Sequence, residues 1–149
     1  MVEGLARAEA AVADCLDAAV WALPEHDLVA ALDAAHRLAQ RLAAVQLALV
    51  REVDGRGTHQ GASSTAVWSR DRLRLDGSTA RRLVNVAGAL DAGAPGVRAA
   101  LANGDITVEQ ARVIGETVQT RASRRYHRRV DCALSRSPPW RTRSARACG

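Results

Sequence analysis

Apolar residues recur along this chain at spacings of three and four, the period of helices with one buried face. Leu5, Val12, Leu16, Ala19, Val20 and Leu23 share a stripe that predicts a first helix over residues 2–23, closed by Pro24. Trp21, near its end, is expected to pack. Leu28, Leu32, Ala35, Ala39, Leu42, Gln46, Leu49 and Val53 predict a second helix from about Asp27 to Asp54, stopped by Gly55 and Gly57. At 1.5 Å per residue it would run to roughly 40 Å. Two such helices joined by a short turn with a proline predict an antiparallel hairpin. The near-heptad stripe of the second could also pair with another copy of itself, which makes a homodimer through the long helix an expectation.

The stretch 61–90 reads as two shorter helices around a tight turn. Ser63 or Ser64 can cap the first, which carries Val67 and Trp68. A break is expected at Asp76–Gly77, with the glycine left-handed and the Ser78 hydroxyl capping the second helix of the pair. Ala80, Leu83, Val84, Ala87 and Leu90 then line one face, leaving Arg81, Arg82 and Asn85 off it. This is the outline of a helix-turn-helix, and equally of a small helical bundle.

After the turn DAGAPG, a helix is expected from Pro95 to about Ala102, with Val97 and Leu101 inward and a stop at Asn103–Gly104. Thr107 followed by Gln110 forms a capping box for a last helix whose inner face is Val108, Ala111, Ile114, Gly115 and Val118. The predicted fold is therefore all-α: a multi-helix bundle with a long N-terminal helical hairpin, then shorter helix-turn-helix-like units and a disordered C-terminal tail. Residues 1–120 form the domain and 121–149 the tail.

Composition changes this picture in two ways. The 48% hydrophobic content comes from Ala, Leu and Val, with no Phe and only 3% aromatics, so each buried residue contributes little area. The net charge of +5 and pI near 10.3 invite a nucleic-acid reading, but the charge is unevenly placed. Nine arginines and one acid, Asp131, fall in residues 121–149, whereas residues 1–120 hold twelve arginines and fifteen acids. The body is mildly acidic and the tail makes the protein basic. The tail has no helical stripe, and two readings of it stay open: a disordered basic arm that holds phosphates, or a stretch read out of frame in GC-rich DNA. The composition favours the second.

Candidate chemistry is sparse. Cys15, Cys132 and Cys148 make no C-x-x-C pair, and three is an odd number, so neither a zinc knuckle nor a disulfide framework is expected. His59 lies in the loop GRGTHQGA without a ligand partner at metal spacing and reads as a solvated loop histidine; His26 and His36 have no better case. Paired acids such as Asp14 and Asp17 read as solvated helix surface. No phosphate-cradling glycine motif is present. Neither catalytic nor metal residues are expected, nor a cofactor or small-molecule substrate. The N-terminus has no signal pattern and no apolar run reaches membrane-spanning length, so a cytoplasmic protein is expected.

Residues 28–118 resemble a family of high-GC bacteria, the domain of unknown function 222 (DUF222), which overlaps the 13E12-repeat proteins. The resemblance rests on the long Ala/Leu/Arg helix ending in VDGRG, on GASSTAVW with its Trp68, on STARRLVNVAGAL, and on LANGDITVEQARVI. It implies an all-helical region that precedes an HNH endonuclease domain in full-length relatives. The His and Asn residues of this chain do not compose an HNH site, so the resemblance carries over no catalytic residue and implies a truncated relative that departs from the pattern after about Thr120. Two functions remain. In one, the helix from Ser78 engages DNA through Arg81, Arg82 and Asn85, with Arg70, Arg72 and Arg74 flanking, since Arg and Asn can bond guanine and adenine bidentately. In the other, the chain is a helical protein-interaction or dimerisation module without nucleic-acid binding.

Overall fold

The computed structural model describes residues 1–92, 95–118 and 120. All regular structure among them is helical, as the periodicity requires: α1 (Val2–Leu16), a 3-10 turn (Val20–Ala22), α2 (Glu25–Arg56), α3 (Thr65–Leu73), α4 (Gly77–Asp91), α5 (Pro95–Asn103) and α6 (108–118). The expectation of a disordered tail over 121–149 lies outside the described residues. No helix among the described residues is long and apolar enough to cross a membrane. The chain divides into two compact units, Met1–Leu38 and one beginning at Ala39.

In the first unit, α1 ends at Leu16, about two turns short of the expected end. Residues 20–22 tighten into the 3-10 turn, where Val20 and Trp21 favour a helix less than the alanines before them. Leu23 is extended (ψ 138°), the conformation a following proline imposes. The Pro24 carbonyl then accepts the Leu28 amide to open α2. No side chain in this unit is buried. Trp21, expected to pack, is 90% exposed, and Leu16, Leu28 and Leu32 are also exposed.

The second unit has a core of Leu47 and Val50 from α2, Val86, Ala87 and Leu90 from α4, Leu101 from α5 and Ala111 from α6. Here the predicted phase of α2 needs correction. Leu42 and Leu49, assigned to the inner stripe, are exposed, while Leu47 and Val50 face inward. The run from Leu42 to Val50 is apolar on both sides, so periodicity could not choose between them. In α6, Ile114 likewise turns outward while Ala111 and Gly115 are buried. A Cβ at Gly115 would sit 3.4 Å from that of Ala89, so α4 and α6 meet through small residues.

Helix ends follow local chemistry closely. The backbone amides of Gly57 and Thr58 donate to the Asp54 and Val53 carbonyls, and those of Gly104 and Asp105 to Leu101 and Ala100. Both are Schellman caps, and both glycines have the positive φ such caps need. The Thr107–Gln110 capping box forms in both directions, at 2.8 and 3.2 Å. Side chains of α2 close two further ends: Gln40 accepts the Val108 amide at 3.0 Å, and Arg41 donates to the Asn103 carbonyl at 3.0 Å.

Candidate functional site

The turn between α3 and α4 positions the six residues expected at a DNA surface. Ser64 caps α3, accepting the Val67 amide at 3.3 Å. The break falls earlier than Asp76–Gly77. α3 ends at Leu73, and Arg74 takes the left-handed conformation (φ 55°), which costs a non-glycine residue roughly 1 kcal/mol or more. Asp76 then caps α4, its Oδ1 accepting the Ser78 and Thr79 amides at 2.9 Å each. Ser78, expected to be the cap, instead donates its hydroxyl to Asp76. Gly77 becomes the first residue of α4. That hydroxyl, together with the other donors around it, holds the Asp76 carboxyl well below the ordinary carboxylate range.

All six candidates are exposed. Arg81, Arg82 and Asn85 share the outward face of α4 by helical geometry. Arg81 lies back along the helix start, with its guanidinium 3.7 Å from where a Gly77 Cβ would stand. Those on α3 are engaged separately: Arg70 pairs with Asp71 at 2.7 Å, Arg72 sits 5.8 Å over the Trp68 ring, and Arg74 occupies the turn. The hydrogen bond from Arg70 lowers the Asp71 carboxyl below its ordinary value.

Acids also border the α4 face. Asn85 lines a cleft of about 560 Å³ with Arg51, Asp91, Arg112 and Glu116. Arg112 is held by Glu109 and, at 2.8 Å, by Glu116, and its hydrogen bonds to both raise its already high pKa. Glu109 is lowered by Arg112 first, and Arg82 adds a smaller electrostatic share. The cations of this cleft are therefore already matched by carboxylates, and the local field for a phosphate is weak.

A second constellation has no counterpart among the sequence expectations. His59 is half-buried rather than solvated, with Nδ1 3.1 Å from the Thr65 hydroxyl. Thr65, 3% exposed, gives its one hydroxyl hydrogen to Asp54 at 2.6 Å, so the His59 Nδ1 must be the donor to that oxygen. Asp54 also accepts Arg51 at 3.2 Å, and Arg51 holds Asp91 at 2.9 Å. The order is wrong for a nucleophile, because the hydroxyl hydrogen points to the carboxylate and the oxygen is buried. The arrangement braces the 57–64 loop against the end of α2. Its only sequence signal is a polar residue at the first position of a helix, next to a glycine-rich loop. No group of three or more metal-ligating side chains occurs among the described residues.

These helices and their caps lie within a matched family. The model of the Domain of unknown function (DUF222) matches residues 29–147. The chain belongs to this family. The DUF222 match begins near the start of α2 and runs through α6 into the Arg-rich segment, past Thr120, where the motifs alone imply a departure from the family pattern. No curated protein and no solved structure matches the chain.

Proposed function

We propose that this DUF222 chain is a non-catalytic helical interaction module that associates with a second copy through its N-terminal helices and the outward face of α2. One observation carries the reading. The stripe from Leu28 through Leu32, Leu42 and Leu49 is at heptad spacing, and all four leucines are exposed. Leu28 and Leu32 belong to the unit Met1–Leu38, in which no side chain is buried. Amphipathic helices gain most of their stability from covering such a face. Following the family resemblance, the module serves an HNH nuclease domain of the kind that full-length relatives carry, in the cytoplasm, and the Arg-rich segment after Thr120 is read out of frame. The family match through residue 147 supports the competing view that the Arg-rich segment is native sequence. Sequencing the gene downstream of codon 120 in all frames decides between them. Sedimentation equilibrium of the full chain at tens of micromolar tests the module itself. A dimer that Leu32→Asp with Leu42→Asp reduces to monomer supports it, and a wild-type monomer rejects it.

A second reading, DNA engagement, is favoured by the exposure of Arg81, Arg82 and Asn85 on the face of α4 just beyond the tight turn. It requires duplex binding that falls steeply with salt and weakens in Arg81→Ala/Arg82→Ala. The carboxylates of Glu109 and Glu116 beside that face rank it second.

A further inference from the structure

We infer that the groove between α2, α4 and α5 receives α2 of a second copy, laid antiparallel so that Arg41 of each chain meets Glu52 of the other. The groove encloses about 690 Å³, and every residue lining it belongs to the unit beginning at Ala39. None of them is part of the exposed leucine stripe, so this is a second contact, on another side of α2, and it stands independently of the first. Its edge on α2 is Arg41, Val45, Ala48 and Glu52, spaced by four, three and four residues and therefore on one face. Across the groove α5 presents Ala99 and Ala102, both exposed. Small side chains on both walls admit a helix at close approach.

The charges choose the occupant. Arg41, Arg51 and Arg98 line the groove together with Glu52 and Asp91, so neither a uniformly acidic nor a uniformly basic helix complements it. Asp91 is taken up by Arg51 at 2.9 Å and by Arg98 at 3.7 Å. That leaves Arg41 and Glu52 at the two ends of the edge, about three turns or roughly 16 Å apart. Arg41 donates its Nε to the Asn103 carbonyl and pairs with no carboxylate among the described residues. Glu52 holds Arg56 through Oε1 alone, a surface pair of small worth, and its Oε2 has no partner among the described residues. Turned end for end about the point midway between Val45 and Ala48, this edge matches itself. Arg41 falls opposite Glu52 and Val45 opposite Ala48, twice over. Such reciprocity defines an isologous two-fold contact, in which the surface that fits the groove is the groove's own edge.

Sedimentation equilibrium of the full chain up to several hundred micromolar tests this contact, with Leu32→Asp/Leu42→Asp present throughout to remove the leucine-stripe contact. A weak dimer should form in that background. Arg41→Glu and Glu52→Arg, each alone, set like charges against each other at both ends and should raise its Kd by about tenfold or more. The exchange Arg41→Glu/Glu52→Arg in one chain restores opposite charges at both ends and should bring the Kd back to within about threefold. That recovery also shows that the single variants are not simply unfolded. A background chain that stays monomeric at several hundred micromolar overturns the contact. So does a dimer that the single reversals leave unchanged, or one that the exchange does not restore. None of these results bears on the leucine stripe, which is read at tens of micromolar in the wild-type chain.

Discussion

The unit ending at Leu38 and the one beginning at Ala39 use the same residues to different ends. Both are Ala- and Leu-rich helices with apolar stripes at the same period. In the second unit the stripes of α2, α4, α5 and α6 converge on Leu47, Leu90, Leu101 and Ala111, and side chains of α2 close the end of α5 and the start of α6. In the first, Leu16, Leu28 and Leu32 meet nothing that buries them. Amphipathicity states that a face will be covered; only the tertiary arrangement states by what.

The difference between the two units is largest at their leucines. Leu101 is 1% exposed, so Leu101→Ala should cost roughly 3 kcal/mol of unfolding free energy. Leu32 is 70% exposed, and Leu32→Ala in dilute protein should stay within about 0.5 kcal/mol of wild type. Urea denaturation of both at low micromolar concentration measures the asymmetry, and equal effects would erase it. Next in size, Thr65→Val removes the hydroxyl between His59 and Asp54 and should cost about 1–2 kcal/mol. Faster proteolysis within residues 57–64 should accompany that loss.

Ser69 sharpens the contrast from the other side. Its hydroxyl is fully buried and finds no partner, so Ser69→Ala should be neutral or stabilise by up to about 1 kcal/mol in the same assay. The smallest effect is one of pH. The Asp76 carboxyl is depressed by the donors it accepts from Ser78 and Thr79. Its contribution is therefore present above the unfolded-state value of about 3.9 and is lost as pH falls through the folded value. The thermal midpoint of wild type should fall more steeply on acidification below about pH 4 than that of Asp76→Asn.

Features set by a few neighbouring residues are legible in the sequence. The Ser64 cap, the Thr107–Gln110 box and the glycine ends at 57 and 104 each depend on local chemistry. Features that depend on distant partners are not. The phase of α2 is ambiguous because Leu42–Val50 is apolar on both sides apart from Gln46, and only α4 and α5 select Leu47 and Val50. Gly77 is the natural choice for the turn after α3 because left-handed residues are commonly glycine, yet Arg74 takes that place while Asp76 caps α4. Thr65, bonded to residues six and eleven positions away, has no periodic signal at all. Arg81, Arg82 and Asn85 are exposed as their spacing predicts, but Glu109 near Arg82 and Glu116 in the cleft of Asn85 come from a helix whose position in space the sequence alone does not give.

Amide hydrogen exchange of the full chain, measured across protein concentration, addresses the uncovered face itself. If a second copy covers it, protection in residues 1–38 and along the Leu28–Leu49 stripe rises with concentration while α4 remains protected throughout. Protection in residues 1–38 that is the same at about one micromolar and at about one hundred would contradict the account.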